Sequence, residues 1–193
     1  MMEIEMLTDK ELAGLIENVL CSIWENEIKE DFDKIRILNE DTLKNAIYYH
    51  LRNRLGGFFD EQDIRILTEF TDGQFAGSGY RPDMVIVKID MASNAACWRG
   101  AVTECLAIIE LKMKSRFIDN LSISADYDKL KYYIEEMGVK GHLYMAAIWE
   151  YEDDASSWIR KNAAWAKGRV TELNASYKRN SDFESQFYVV KHS

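Results

Sequence analysis

The amino-acid sequence predicts an α/β fold in which a mixed central β-sheet of four to five strands is flanked by helices. Short apolar runs alternate along the chain with segments whose apolar residues recur at helical spacing. Two of the apolar runs, residues 105–113 and 143–149, enclose one helical segment, and a strand–helix–strand order favours parallel pairing within a sheet. The 193 residues include 47% hydrophobic side chains, which is enough for a packed core. Because no repeat or linker-like segment is present, we expect a single domain over residues 1–193.

The N-terminal segment has the pattern of an amphipathic helix. Thr8 and Glu11 match a capping box, in which each side chain binds a backbone N–H group at the start of a helix. We expect the apolar face that follows to pack on the core. The alternative is a partner-binding or dimerisation helix, since the opposite face is strongly acidic. The residues of the apolar face are Leu12, Leu15, Ile16, Val19, Leu20 and Ile23.

The remaining elements follow from the same periodicities. A second helix is predicted over residues 40–55, with Gly56 and Gly57 ending it. The other predicted elements are, in chain order, strands over 64–70, 84–89 and 105–113, a helix over 124–137, a strand over 143–149, a helix over 157–177 and a strand over 186–190.

Charge is distributed unevenly along the chain. The net charge is −9, which argues against a generally basic nucleic-acid-binding protein. Residues 1–40 carry four basic and eleven acidic side chains, whereas residues 158–180 carry six basic side chains and one acidic side chain. A locally basic surface on the helix predicted over 157–177 is therefore compatible with the acidic total.

Several features predict a cytoplasmic protein without membrane association. The first residues are acidic, whereas a secretion signal begins with basic residues. The apolar runs are far shorter than the roughly 20 residues that a membrane-spanning helix needs. Cys21, Cys97 and Cys105 form no CxxC pair, and their odd number favours reduced thiols.

Two neighbouring predicted strands carry acidic residues at positions unsuited to packing. Asp83 follows the only proline, Pro82, and directly precedes the apolar run 84–89. Glu110 and Lys112 interrupt the next apolar run and point to the same side of a strand. If these strands are neighbours, Asp83 and Glu110 converge, and two carboxylates with backbone carbonyls and water suit Mg²⁺ or Mn²⁺.

The sequences Pro82-Asp83 and Glu110-Leu111-Lys112, on consecutive predicted strands, resemble the motif of the PD-(D/E)xK nuclease superfamily. The predicted order of helix, three strands, helix and strand is also similar to the restriction-endonuclease-like core of that superfamily. The resemblance covers about residues 39–149. It leaves residues 1–38 as an acidic N-terminal helix and residues 150–193 as a C-terminal helix and strand outside the core.

The resemblance implies a Mg²⁺- or Mn²⁺-dependent endo- or exonuclease of restriction, repair or mobile-element type, with DNA as the favoured substrate. Asp83, Glu110 and the main-chain carbonyl of Leu111 would hold the metal, and Lys112 would orient the attacking water or stabilise the transition state. Glu40, or failing it Asp41, matches an acidic residue of the first core helix. Both residues are equally explained by the favourable charge of a helix N-terminus.

Basic and aromatic residues around the motif are candidates for substrate binding. They are Arg81, Lys114, Arg116 and Lys129, with Trp158 and Trp165 as possible base-stacking residues. Burial against the sheet is the alternative for both tryptophans. The helix predicted after Glu110-Leu111-Lys112 is also similar to the family pattern, which implies that its polar residues Asp126 and Lys129 face the site. Because these two lie three residues apart on one helical face, a surface ion pair between them is the alternative. Glu69, on the first predicted strand, is a weaker acidic candidate. The competing interpretation of the whole chain is a non-catalytic binding or regulatory module on the same nuclease-like fold.

Overall fold

The computed structural model describes residues 7–71, 75–93, 98–114, 121–150, 157, 159, 163–178 and 184–192. Helix α1 (Asp9–Ile23) continues through a π-helical turn (Trp24–Ile28) into the short α2 (Lys29–Asp33). The other helices are α3 (Glu40–Glu61), which continues through Gly56 and Gly57 although these were expected to end it, and α4 (Leu121–Glu135). The strands are β1 (Ile64–Thr68), β2 (Met84–Ile89), β3 (Val102–Lys114), β4 (His142–Glu150), β5 (Val170–Lys178) and β6 (Glu184–Lys191), and a 3₁₀ turn (Trp98–Ala101) precedes β3.

The six strands form one mixed sheet in the order β1-β2-β3-β4-β5-β6. The pairs β3–β4 and β4–β5 are parallel, and the other three pairs are antiparallel. Helix α4 connects the parallel strands β3 and β4, as the sequence predicts. The structure is therefore α/β with a mixed sheet flanked by helices.

The two faces of the sheet have separate hydrophobic cores. Helices α1 and α3 cover one face, where they pack on residues such as Ile109 and Leu111 of β3. Helix α4 covers the other face, where Leu130 and Tyr133 pack with Ile108. Because side chains alternate along a strand, Glu110 lies on the α4 face together with Ile108.

Helix α1 confirms the predicted N-terminus. Both halves of the Thr8–Glu11 capping box are present, and the residues Leu12, Ile16, Leu20 and Ile23 are buried. Its apolar face thus packs on the core. Within the described ranges, the chain has no helix with the length and apolar character needed to cross a membrane.

The prediction of a helix over residues 157–177 is wrong. The prediction of four to five strands is also corrected, because the sheet has six. Residues 164–169 form turns, and Val170 begins β5. Val170, Leu173 and Tyr177 happen to have helical spacing. However, β5 lies inside the sheet between β4 and β6, where both faces of a strand are covered and the alternation of polar and apolar residues is lost. The strands β5 and β6 therefore extend the central sheet instead of a helix forming beside it.

Candidate active site

Strand β3 extends beyond the start of its neighbour β2, and Asp83 lies at this step. Met84, the first residue of β2, pairs with Ile109, so the last residues of β3 project past it. There the backbone N–H of Leu111 donates to Oδ2 of Asp83 over 2.9 Å. Since the N–H and C=O groups of one strand residue point to the same side, the Leu111 carbonyl also faces this edge.

Glu40 lies further along the same edge of β3, toward the C-terminal end of the strand. It is the first residue of α3, and its carboxylate accepts the backbone N–H of Met113. Burial raises the pKa of Glu40, and the nearby Asp83 carboxylate adds to this shift, whereas Lys112 opposes it. The carboxylates of Asp83 and Glu40 therefore flank the Leu111 carbonyl along the projecting end of β3.

Glu110 is the most deeply buried acidic residue of this region, with 1% of its surface exposed. Its Oε2 accepts from Nζ of Lys129 over 2.7 Å, and its Oε1 accepts from the hydroxyl of Tyr133 over 3.1 Å. Burial raises the pKa of Glu110 to about 8 despite the opposing effect of Lys129. The Asp83 carboxyl, which lies within hydrogen-bonding reach, contributes to the increase.

Lys112 lies on the same face of β3 as Glu110 and is paired with two carboxylates. Its Nζ is 3.1 Å from Oδ2 of Asp126 on α4 and 3.5 Å from Oε2 of Glu40. Burial tends to lower the pKa of Lys112, but the charges of Asp126 and Glu40 outweigh it and raise the pKa above the usual value. Lys112 is therefore held protonated between these two carboxylates.

A second group of charged residues borders Asp83, and one of its members, Lys44, was not predicted from the sequence. Lys44 of α3 pairs with Glu69, and Glu69 also pairs with Arg81. Glu69 has a left-handed backbone (φ 53°), which directs its N–H to the Asp83 carbonyl over 3.1 Å. Because a non-glycine residue in this conformation costs about 1 kcal/mol or more, the turn is held by its contacts.

The predicted substrate-binding residues have different outcomes. The side chain of Arg81 is engaged by Glu69, and its carbonyl accepts from Lys129 over 3.0 Å. Nζ of Lys114 lies 5.3 Å from the ring centre of Trp149 in a cation–π contact. Arg116 and Trp158 lie outside the described residues.

The locally basic surface that was expected on a helix over residues 157–177 does not lie on a helix, because residues 164–169 form turns and β5 begins at Val170. Arg169 instead donates to the backbone carbonyls of Val139 and Gly141, so it joins two chain segments. Trp165 is partly buried against the hydrophobic core of the α4 face. This agrees with the structural interpretation of Trp165 rather than with base stacking.

The oxygen atoms of the candidate site suit a hard divalent cation as ligands. Asp83 and Glu110 are neighbouring carboxylates, and the Leu111 carbonyl faces the same edge of β3. Repulsion between two carboxylates of which one is buried is relieved by a cation, and oxygen ligands are those that Mg²⁺ and Mn²⁺ prefer. Among the described residues, no three histidine, cysteine, aspartate or glutamate side chains are grouped as a metal site. The ligand set would therefore combine two carboxylates with the carbonyl and water.

The chain matches no protein-family model, and no curated protein or solved structure is significantly similar to it. The geometry of the site is therefore the basis on which its function is proposed.

Proposed function

We propose that the chain is a metal-dependent nuclease with a restriction-endonuclease-like core, which hydrolyses phosphodiester bonds in nucleic acid, with DNA as the favoured substrate. One observation carries the proposal. The buried Glu110 lies beside Asp83 at the projecting end of β3, with Lys112 on the same face. A carboxylate placed beside the buried Glu110 is unfavourable for folding, and binding of a cation would offset this unfavourable contribution.

The residues divide the chemical work in a way that fits hydrolysis. Asp83 and Glu110, with the Leu111 carbonyl, would hold Mg²⁺, which acidifies bound water and neutralises charge on the phosphate. Lys112, kept protonated by Asp126 and Glu40, can donate to the attacking water or to a non-bridging phosphate oxygen. Glu40, next to the Leu111 carbonyl, can accept a proton from that water.

Nearby cations provide for binding a polyanionic substrate. Lys44, Arg81 and Lys129 surround Asp83 and Glu110, and each is paired with a carboxylate. Phosphate groups could replace these internal carboxylates as partners. We expect binding to weaken with salt, as it does when phosphates displace counterions.

The second candidate is a non-catalytic binding or regulatory module on the same fold. The net charge of −9 and the pairing of Lys112 with Asp126 and Glu40 favour it, because they leave little free positive charge for a substrate. In that case the two carboxylates would be expected to bind neither Mg²⁺ nor Mn²⁺ specifically.

Cleavage of labelled oligonucleotides distinguishes these functions. Duplex DNA, single-stranded DNA and RNA should be incubated with Mg²⁺, Mn²⁺ or a chelator. We expect metal-dependent cleavage that falls by about 100-fold or more in Asp83→Asn, Glu110→Gln and Lys112→Met, since each loses a group that acts on the transition state. Lys131→Gln is the matched control, because Lys131 is an exposed residue of α4 that pairs with Glu135. Equal cleavage by all variants would identify a contaminant, and no cleavage of any substrate would favour the module.

A further inference from the structure

The ammonium group of Lys129 binds a carboxylate oxygen of Glu110 that a metal ion would need as a ligand. Nζ donates to Oε2 of Glu110 over 2.7 Å and to the backbone carbonyl of Arg81 over 3.0 Å. The other oxygen of Glu110 accepts from Tyr133. Both oxygens of the Glu110 carboxylate therefore have a donor before any metal binds.

This contact also balances charge. Glu110 is 1% exposed and lies beside Asp83, while the Lys129 side chain is only 16% exposed. A buried carboxylate without a cation would be strongly unfavourable next to a second carboxylate. Lys129 supplies one positive charge at this place, whereas a divalent cation would supply two.

We propose that Lys129 is the exchangeable counter-ion of this site and that a divalent cation binds by displacing its ammonium group from Oε2 of Glu110. A divalent cation and an ammonium group on the same oxygen would repel each other strongly at this degree of burial. The exchange rests on the proposed function, because it needs the metal site, but it adds a role for Lys129 that substrate binding does not include. Lys129 is a positioning residue in this account, since it acts on the metal through Glu110.

The displaced ammonium group has another carboxylate within reach. Asp126 lies three residues before Lys129 on α4, so their side chains are neighbours on one helical face. Burial raises the pKa of Asp126, and the charges of Lys112 and Lys129 oppose that increase. After the exchange, Lys129 can pair with Asp126, whose side chain is 19% exposed against 1% for Glu110, so its ammonium group becomes more accessible to solvent.

Calorimetric titration with Mn²⁺ and Mg²⁺, in the absence of nucleic acid, tests the exchange. Wild type and Lys129→Gln should be compared at about pH 8.5, above the pKa of about 8 to which burial raises Glu110, so that protons compete less for the carboxylate. We expect Lys129→Gln to bind the metal roughly tenfold more tightly and to melt at a lower temperature without metal. Lys131→Gln, on the exposed surface of α4, should behave as wild type.

Chemical labelling of the wild-type protein keeps the test independent of how Lys129→Gln folds. Acetylation of lysine amines, read by mass spectrometry, should become faster at Lys129 when Mn²⁺ is added and should not change at Lys131. Unchanged labelling of Lys129 in a protein that binds Mn²⁺, or equal or weaker metal binding by Lys129→Gln, would overturn the exchange and leave the nuclease proposal standing. If neither wild type nor Lys129→Gln binds metal, the exchange and the proposed function both fail.

Discussion

Two buried glutamates on the same face of the sheet have different neighbours. Glu110 on β3 and Glu172 on β5 both pair in register with Met145 of β4, so one strand separates them. They are 1% and 0% exposed. Their residue type, sheet face and burial are thus the same, and their neighbours alone differ.

Glu172 is surrounded by hydrogen-bond donors. Its Oε1 accepts from the hydroxyl of Ser157 over 2.6 Å and lies 2.6 Å from Nε2 of His192, and the backbone N–H of Ile159 also donates to it. The amide of Asn174 donates to Oε2. These donors join residues before β5 and after β6 to the sheet, so Glu172 stabilises the fold.

Glu110 shares its space with a like charge. The Asp83 carboxyl lies beside it, and its charge is balanced by Lys129, a residue of the facing helix. Burial alone therefore does not distinguish a structural glutamate from a functional one. The comparison teaches that a buried carboxylate placed beside another carboxylate is the one to examine for ligand binding.

Replacing each glutamate by glutamine should give the largest contrast in stability. Glu172→Gln turns an amide toward groups that donate hydrogen bonds, and we expect it to lower the free energy of unfolding by about 3 kcal/mol. Glu110→Gln removes the repulsion with Asp83 wherever Glu110 is ionised, so above about pH 8 the metal-free variant should be as stable as wild type or more stable. Denaturant unfolding in the presence of a chelator measures both changes. A large loss of stability in Glu110→Gln would instead make Glu110 a structural residue paired with Lys129.

The dependence of stability on pH should also reveal the unusual environment of Glu110, with a smaller effect than the contrast between the two glutamine variants. The pKa of Glu110 is about 8 in the folded protein because of burial, against about 4.3 in an unfolded chain. Between these values the folded protein holds a proton that the unfolded chain releases, so the free energy of unfolding falls as pH rises. From about pH 5 to pH 8 we expect metal-free wild type to lose about 2 kcal/mol or more relative to Glu110→Gln. Parallel pH profiles for the two proteins would show that Glu110 is ionised throughout.

The sequence predicts the part of the fold in which local signals agree. The strands β2 and β3 lie close to their predicted positions, and so does helix α4, which connects β3 to β4. Apolar runs and a helical pattern mark these elements clearly. Strand β5 could not be predicted from such local patterns. Its buried polar residues Glu172 and Asn174 contradict the apolar pattern of an internal strand, and their partners come from distant parts of the chain.

For the candidate site, the sequence predicts the main residues but not their partners. Asp83, Glu110 and Lys112 stand out in the sequence because charged residues interrupt apolar strands. The pairings do not follow from the sequence, since Glu110 binds Lys129 and Lys112 binds Asp126, and both partners lie on the facing helix. The contribution of Lys44 depends on the packing of α3 against the turn at Glu69, which local periodicity does not reveal.

Anomalous X-ray diffraction from crystals of the wild-type protein containing Mn²⁺ tests the central claim most directly. Both glutamates are present in the same molecule, so Glu172 serves as the internal control for non-specific binding of the cation to buried carboxylates. The account predicts an anomalous peak between the carboxylates of Asp83 and Glu110, beside the Leu111 carbonyl, with Lys129 moved away from Oε2 of Glu110. Density at Glu172 or elsewhere, with the Asp83–Glu110 site empty at saturating Mn²⁺, would contradict it.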